Sequence, residues 1–185
     1  QPMLPITSPQ KPTIKLIRSL ADKKGRRDHN LWVAEGYQML ERALAFNWVP
    51  VHLIATKPVH LWDAVKPLII SEKLMAELSA MNNPQDVLAT FKPWYERSIA
   101  QPWSNLRGTY LALEGIRDPG NLGTIFRTAE AAGVANLILT DCCDPYSPEC
   151  VRATTGSIFA FNPVNMSQEN LAGMCAKWPG DCVGT

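Results

Sequence analysis

Apolar positions recur along this chain with two periods, one helical and one alternating. Ile14, Ile17, Leu20 and Ala21 share a helical face over residues 11–22, and Pro12 suits the first turn. Gly25 is expected to end that helix, leaving Lys23-Lys24-Gly25-Arg26-Arg27 as an exposed basic loop. Residues 31–34 read as a short strand, and Tyr37, Leu40 and Leu44 then recur at helical spacing. Residues 51–55 and 68–70 read as buried strands, and Ser71 is placed to cap a helix with Glu72 in its first turn. Residues 86–91 alternate as a further strand. Strands alternating with helices predict a small α/β unit ending near residue 95.

The second half repeats the alternation. Residues 109–114 read as a strand. Pro119-Gly120-Asn121 reads as a turn, with Asn121 as the cap of a helix over 122–132 that stops at Gly133. A strand over 135–140, a helix opened by Ser147-Pro148-Glu149, a strand over 159–164 and a helix over 167–176 complete a β-α-β-α-β-α run. Such a run favours a parallel sheet with crossover helices. Between the halves, Lys92-Pro93-Trp94 and Gln101-Pro102-Trp103 flank an irregular polar stretch. Its tryptophans have two readings: stacking on bases, or pinning two domains together.

Composition narrows the class. With 185 residues, 46% of them hydrophobic and 19% charged, the chain suits one ordinary domain or two small ones and does not read as disordered. No apolar run is long enough to span a bilayer, and no signal core opens the chain, so a cytoplasmic location is expected. The five cysteines are odd in number and lack C-x-x-C spacing, and the three histidines lie far from them. Neither a disulfide framework nor a zinc site is expected, and no metal. A formal charge of +1 hides an asymmetry: residues 1–30 hold seven basic side chains against two acidic ones. A basic leading segment on a mildly acidic body attracts a polyanion, although a solvated helix end has the same composition.

Candidate chemistry centres on the stretch from Glu114 to Val134, where a strand runs into a glycine-bearing loop and then a helix N-terminus. Exposed N–H groups there favour an anionic oxygen. G-x-G-x-x-G is absent and no G-K-[ST] comes after the loop, so neither a dinucleotide fingerprint nor a P-loop is present.

The run D-P-G-N-L-G-T-I-F-R-T-A-E-A-A-G-V, from Asp118 to Val134, resembles the first motif of the SpoU/TrmH family of RNA 2′-O-ribose methyltransferases. Asp144-Pro145-Tyr146-Ser147-Pro148 and Val151-Arg152-Ala153-Thr154-Thr155-Gly156-Ser157 resemble the family's next segment, which often reads D-x-Y-x-P and then R-x-S-x-G. Val33-Ala34-Glu35-Gly36 and the helix after it are similar to the family's small substrate-binding domain of L30e type. The fold expected from this resemblance is α/β throughout: a basic helix and loop (1–29), an L30e-like domain (30–95), a linker (96–107), and the leading part of a SPOUT-type domain with a parallel sheet (108–185). The family's later motifs, a G-x-E-G-x-G-L-like loop and an S-L-N-V-like segment, do not occur. A fragment with an incomplete knot is therefore expected.

The resemblance implies methyl transfer from S-adenosylmethionine to a ribose hydroxyl of structured RNA. Ribosomal RNA is preferred over transfer RNA, and a homodimer is the family's usual form. It assigns Arg127 and Asn121 to catalysis and Arg152 and Ser157 to the RNA. Lys23, Lys24, Arg26 and Arg27 are the basic residues expected on RNA. Arg127 is expected to face a pocket at the carboxyl ends of the strands. There its guanidinium, protonated in almost every setting, would orient the hydroxyl and stabilise the developing alkoxide. Each residue also has a plainer reading. Asn121 caps a helix; Arg127 pairs with Glu130 at i+3; Arg152 is solvated; Ser157 is a buried helix-end hydroxyl. A non-catalytic RNA-binding module is the competing function. A nucleotide-using α/β enzyme, resting only on the glycine loop, is a third.

Overall fold

The structure is a computed structural model that describes residues 4–93 and 106–185. Trp94, Trp103 and most of the expected linker lie outside the described residues. Two sheets organise the rest. The first has the order β1 (Trp32–Glu35), β4 (Val87–Phe91), β2 (His52–Ala55), β3 (Leu68–Ile69). β4 is antiparallel to both its neighbours, and β2 and β3 are parallel. The second is wholly parallel, in the order β5 (Tyr110–Glu114), β6 (Asn136–Thr140), β7 (Val164–Asn165).

Local signals account for most element starts. Ser71, Ser147 and Ser167 each accept a backbone N–H at the head of α4 (Glu72–Leu78), α6 (Pro148–Thr154) and α7 (Gln168–Lys177). α3 (Tyr37–Ala45) follows β1 through Gly36, whose φ of +99° suits glycine.

Several expectations are corrected. The leading helix is two helices, α1 (Pro12–Ser19) and α2 (Lys23–His29), so the basic stretch is helical rather than a loop. Gly25 does not terminate a helix. A Cβ there would lie 1.9 Å from the Ser19 carbonyl oxygen, so glycine permits α2 to pack against the end of α1. Asn30, at φ +50°, ends α2 instead. β4 is buried at all five positions because it runs down the centre of its sheet. The strand expected over 159–164 shrinks to β7, because Gly156 (φ +100°) opens a 3-10 turn over Ser157–Ala160.

The two halves share a core. Trp32, fully buried on β1, has ring-centroid distances of 4.9 Å to Tyr146 and 5.3 Å to Phe159 from the second half, and 5.3 Å to Phe91 from the first. The Trp48 indole N–H donates to the Phe159 carbonyl at 3.0 Å. This aromatic cluster holds α6 and the 3-10 turn against the first sheet, and so fixes the second sheet's carboxyl edge relative to α2.

Candidate nucleic-acid interface

The carboxyl ends of β5, β6 and β7 form one edge, where open α/β sheets gather their ligands. The loops leaving that edge are tied together. Arg117 meets Asp141 through two contacts, Nη1–Oδ1 at 3.1 Å and Nη2–Oδ2 at 2.5 Å. The Cys143 N–H donates to the Ile116 carbonyl at 2.8 Å. Glu114 at the end of β5 accepts from the Gln168 amide at the head of α7.

From this edge rises α5 (Pro119–Ala131). Its cap is Asp118, whose Oδ1 accepts the Asn121 N–H at 2.6 Å, so the cap expected of Asn121 belongs to Asp118. The sequence signal for it is local: an aspartate directly before a proline is a favoured helix start.

α5 has two faces. Leu122, Gly123, Phe126 and Ala129 are buried, and Gly123 lets α6 approach so closely that a Cβ would lie 2.5 Å from Ala153 Cβ. Gly123 therefore serves helix packing rather than a ligand loop. The opposite stripe exposes Asn121, Thr124, Arg127 and Thr128. The two threonine hydroxyls turn back onto the helix, donating to the Gly120 and Thr124 carbonyls at 3.0 and 3.1 Å. What the stripe offers outward is thus the Asn121 amide and the Arg127 guanidinium. Neither side chain has a partner among the described residues.

The alternative pairing of Arg127 with Glu130 does not form. Glu130 accepts instead from the Arg42 guanidinium of α3 and from the Ser157 hydroxyl, the latter at 2.5 Å. Burial pushes the Glu130 carboxyl up, but Ser157 and Arg42 outweigh that and hold its pKa below the ordinary value. Gly156 makes room for this arm: a Cβ there would lie 2.6 Å from Arg42 Cγ. Ser157 is buried and committed to Glu130, which removes it from the surface expected to touch RNA. Arg127 stands on the exposed stripe and lines neither the cavity of about 460 Å³ beside α6 nor the one of about 300 Å³ beside α2.

One cavity, of about 460 Å³, lies where α1, β1 and α3 face α6, with Tyr37 and Arg152 on its wall. Arg152 is exposed and reaches the Ala80 carbonyl only at 3.5 Å. The other, of about 300 Å³, lies between α2 and the loop after β6, with Lys23 and Arg27 on its wall. Lys24 is exposed on the same helix but off that wall. Arg26 behaves differently from its basic neighbours. It is 8% exposed, donates from Nε to Asp144 Oδ2 at 3.0 Å, and donates from Nη1 to the Leu20 and Ala21 carbonyls at 3.0 and 2.9 Å. It holds the two halves together rather than facing a partner. Burial pushes the Cys143 and Cys150 thiols up, which keeps them protonated and poor nucleophiles.

Similarity to known proteins agrees with this layout. The profile of the SpoU rRNA Methylase family matches residues 108–181, and that of the MRM3-like substrate binding domain matches residues 11–89. An uncharacterized tRNA/rRNA methyltransferase of Synechocystis is 36% identical over 164 residues, which are 82% of this chain and 58% of that protein. The 23S rRNA (guanosine(2553)-2′-O)-methyltransferase RlmP of Bacillus subtilis is 27% identical over 163 residues, 85% of this chain and 63% of that protein. The chain thus spans less than two thirds of these curated relatives. The crystal structure of an rRNA methyltransferase from Sinorhizobium meliloti superposes with a TM-score of 0.80 at 34% identity, over 94% of this chain and 69% of that one. An AdoMet-bound structure from the same organism gives 0.79, again at 34% identity, covering 94% and 68%. With both halves matched in order and a solved relative covered over more than two thirds of its length, the chain belongs to the SpoU rRNA methylase family.

Proposed function

We propose that this chain forms the RNA-facing part of an enzyme that methylates a ribose 2′-hydroxyl of structured RNA, with S-adenosylmethionine as donor. Ribosomal RNA is the favoured substrate over transfer RNA, the cytoplasm the favoured location and a homodimer the favoured form. The observation that carries this reading is the outward stripe of α5. Asn121 and Arg127 stand there unengaged among the described residues, while the hydroxyls of Thr124 and Thr128 are spent on carbonyls of their own helix and that of Ser157 on Glu130.

A ribose hydroxyl is a weak nucleophile at neutral pH and must shed its proton as it attacks. The Arg127 guanidinium keeps its charge at any working pH, so it acts as a donor and a positive field rather than a base. Its fork suits a phosphate beside the target sugar and stabilises the alkoxide that develops. The Asn121 amide, on the same face, supplies a neutral donor and acceptor to the same sugar. Lys23, Lys24, Arg27 and Arg152, all exposed, are the proposed contacts to the RNA backbone. Arg26 and Ser157 are not among them, because their polar atoms are spent within the fold.

The cavity at the strand ends does not fit the methyl donor. It is walled by Lys23, Arg26 and Arg27, which repel a sulfonium cation, and its one carboxylate, Asp144, is already paired with Arg26. No step is therefore assigned to residues of this chain acting on the donor.

The test is methyl transfer from labelled S-adenosylmethionine to ribosomal RNA transcripts, using the product of the complete reading frame and its Arg127→Ala variant. Transfer by the parent and none by the variant, with RNA affinity largely kept, is the expected result. RNA binding without transfer by the parent would favour a non-catalytic RNA-binding module instead.

A further inference from the structure

We propose that the cavity between α2 and the loop after β6 is a pocket for one nucleotide of the RNA substrate, its phosphate held by Lys23 and Arg27. This rests on the RNA-modifying role proposed above. Both halves build the pocket: α2 supplies the cations, Cys142, Cys143 and Tyr146 follow β6, and Asn165 ends β7. It therefore lies outside the carboxyl ends of two parallel strands, the usual place for a ligand in an open α/β sheet. At about 300 Å³ it is at the small end of ligand pockets, which suits one nucleotide rather than several.

Its charge selects a phosphate. Of the four charged side chains on the wall, Arg26 and Asp144 neutralise each other at 3.0 Å. Among the described residues Lys23 has no ion pair, and Arg27 pairs only with Asp28, at 3.5 Å and in solvent. Two cations thus remain for a ligand. A free inorganic anion would leave the accessible apolar wall of Pro93, Cys142 and Cys143 uncovered. A nucleotide covers it with its base, within reach of the Asn165 amide at the rim. Base edge, apolar base surface and phosphate each find a chemical counterpart in this one cavity.

The cavity carries its own reporters. Cys142 and Cys143 line it and are half-buried, whereas Cys175 and Cys182 are exposed elsewhere and Cys150 is fully buried. The 185-residue chain is titrated with a fluorescent ribosomal RNA stem-loop, then alkylated with iodoacetamide at saturating RNA and mapped by mass spectrometry. Labelling of Cys142 is expected to slow about tenfold, with Cys175 and Cys182 unchanged; Cys143, whose thiol burial keeps protonated, reacts more slowly and serves as the second reporter. The double variant Lys23→Glu, Arg27→Glu is expected to bind at least about tenfold more weakly at low salt, with the log–log salt slope reduced by about two.

Unchanged labelling of Cys142 and Cys143 at saturating RNA overturns the pocket and leaves the RNA reading standing. Should these thiols resist the reagent in the free protein, the double variant decides, and binding equal to the parent overturns the pocket. Absence of RNA binding by the parent overturns both readings.

Discussion

Arg26 and Asp144, 118 positions apart, meet at 3.0 Å across the junction between the two sheets. The same guanidinium donates to two carbonyls at the end of α1, so one side chain ties the leading helices to the loop after β6. Arg26→Ala removes the partner of a carboxylate whose side chain is only 19% exposed. Breaking such a pair costs about 3–5 kcal/mol, far more than a surface ion pair contributes. Urea denaturation is expected to show a loss of that order. Arg26→Lys should recover only part of it, because an ammonium cannot reach Asp144 and both carbonyls with a planar fork. A loss below about 1 kcal/mol for Arg26→Ala would mean the pair is not closed in solution.

Two glycines in helices should respond to alanine with opposite signs. Alanine in a helix interior is ordinarily better than glycine by about 1 kcal/mol. At Gly173 in α7 an added Cβ meets nothing within 4 Å, so Gly173→Ala is expected to raise the melting temperature slightly. At Gly123 the Cβ would lie 2.8 Å from the Cys150 carbonyl oxygen, a backbone atom that cannot swing aside. α5 and α6 must then separate, at a cost of about 1–3 kcal/mol that exceeds the helix gain. Gly123→Ala is expected to melt lower than the parent in the same differential scan.

Stability should fall in two steps as the pH drops. Burial holds the His52 pKa below its ordinary 6.5, and its Nδ1 lies 2.7 Å from the Thr90 hydroxyl. The neutral ring is the folded form, so its contribution is complete above pH 6.5 and is lost as pH falls through the lower folded pKa. Against the upward push of burial, Ser157 and Arg42 hold the Glu130 pKa below 4.5. Its contribution is complete above pH 4.5 and disappears as pH falls through the folded value. Glu130→Gln should flatten the acid step and leave the His52 step in place, read from denaturation midpoints between neutral pH and about pH 3. An unchanged acid step in Glu130→Gln would rule out the Arg42–Glu130–Ser157 arm as its source.

Local features are the ones legible in the sequence. Ser71, Ser147 and Ser167 announce their helices because a cap acts within three residues. The β-α-β pattern of the second half leads to a parallel sheet because a crossover helix leaves no other pairing. Misreadings arise where distant chain decides. Gly25 looks like a terminator until Ser19 is seen to crowd it. Arg26 looks like its exposed neighbours until Asp144 arrives from the other half. Glu130 is a plausible partner for Arg127 at i+3, but Arg42, 88 positions away, holds it instead. Trp32 carries no sequence mark of its position at the centre of the aromatic cluster.

The exposed stripe of α5 separates function from folding most cleanly. Arg127 has no partner among the described residues, so Arg127→Ala should change stability by no more than about 0.5 kcal/mol. Ser157→Ala, on the buried side, leaves Glu130 without its hydroxyl donor and should cost about 1–3 kcal/mol. Methyl transfer should rank the two in the opposite order. Arg127→Ala is expected to remove turnover while the protein melts like the parent. Ser157→Ala is expected to keep turnover at temperatures where it stays folded. Arg127→Lys should restore charge but not activity in full, because one ammonium cannot present the two parallel donors that a phosphate or alkoxide accepts. If Arg127→Ala turns over at the parent rate, the outward stripe is solvent-facing helix surface and the catalytic role proposed for it falls.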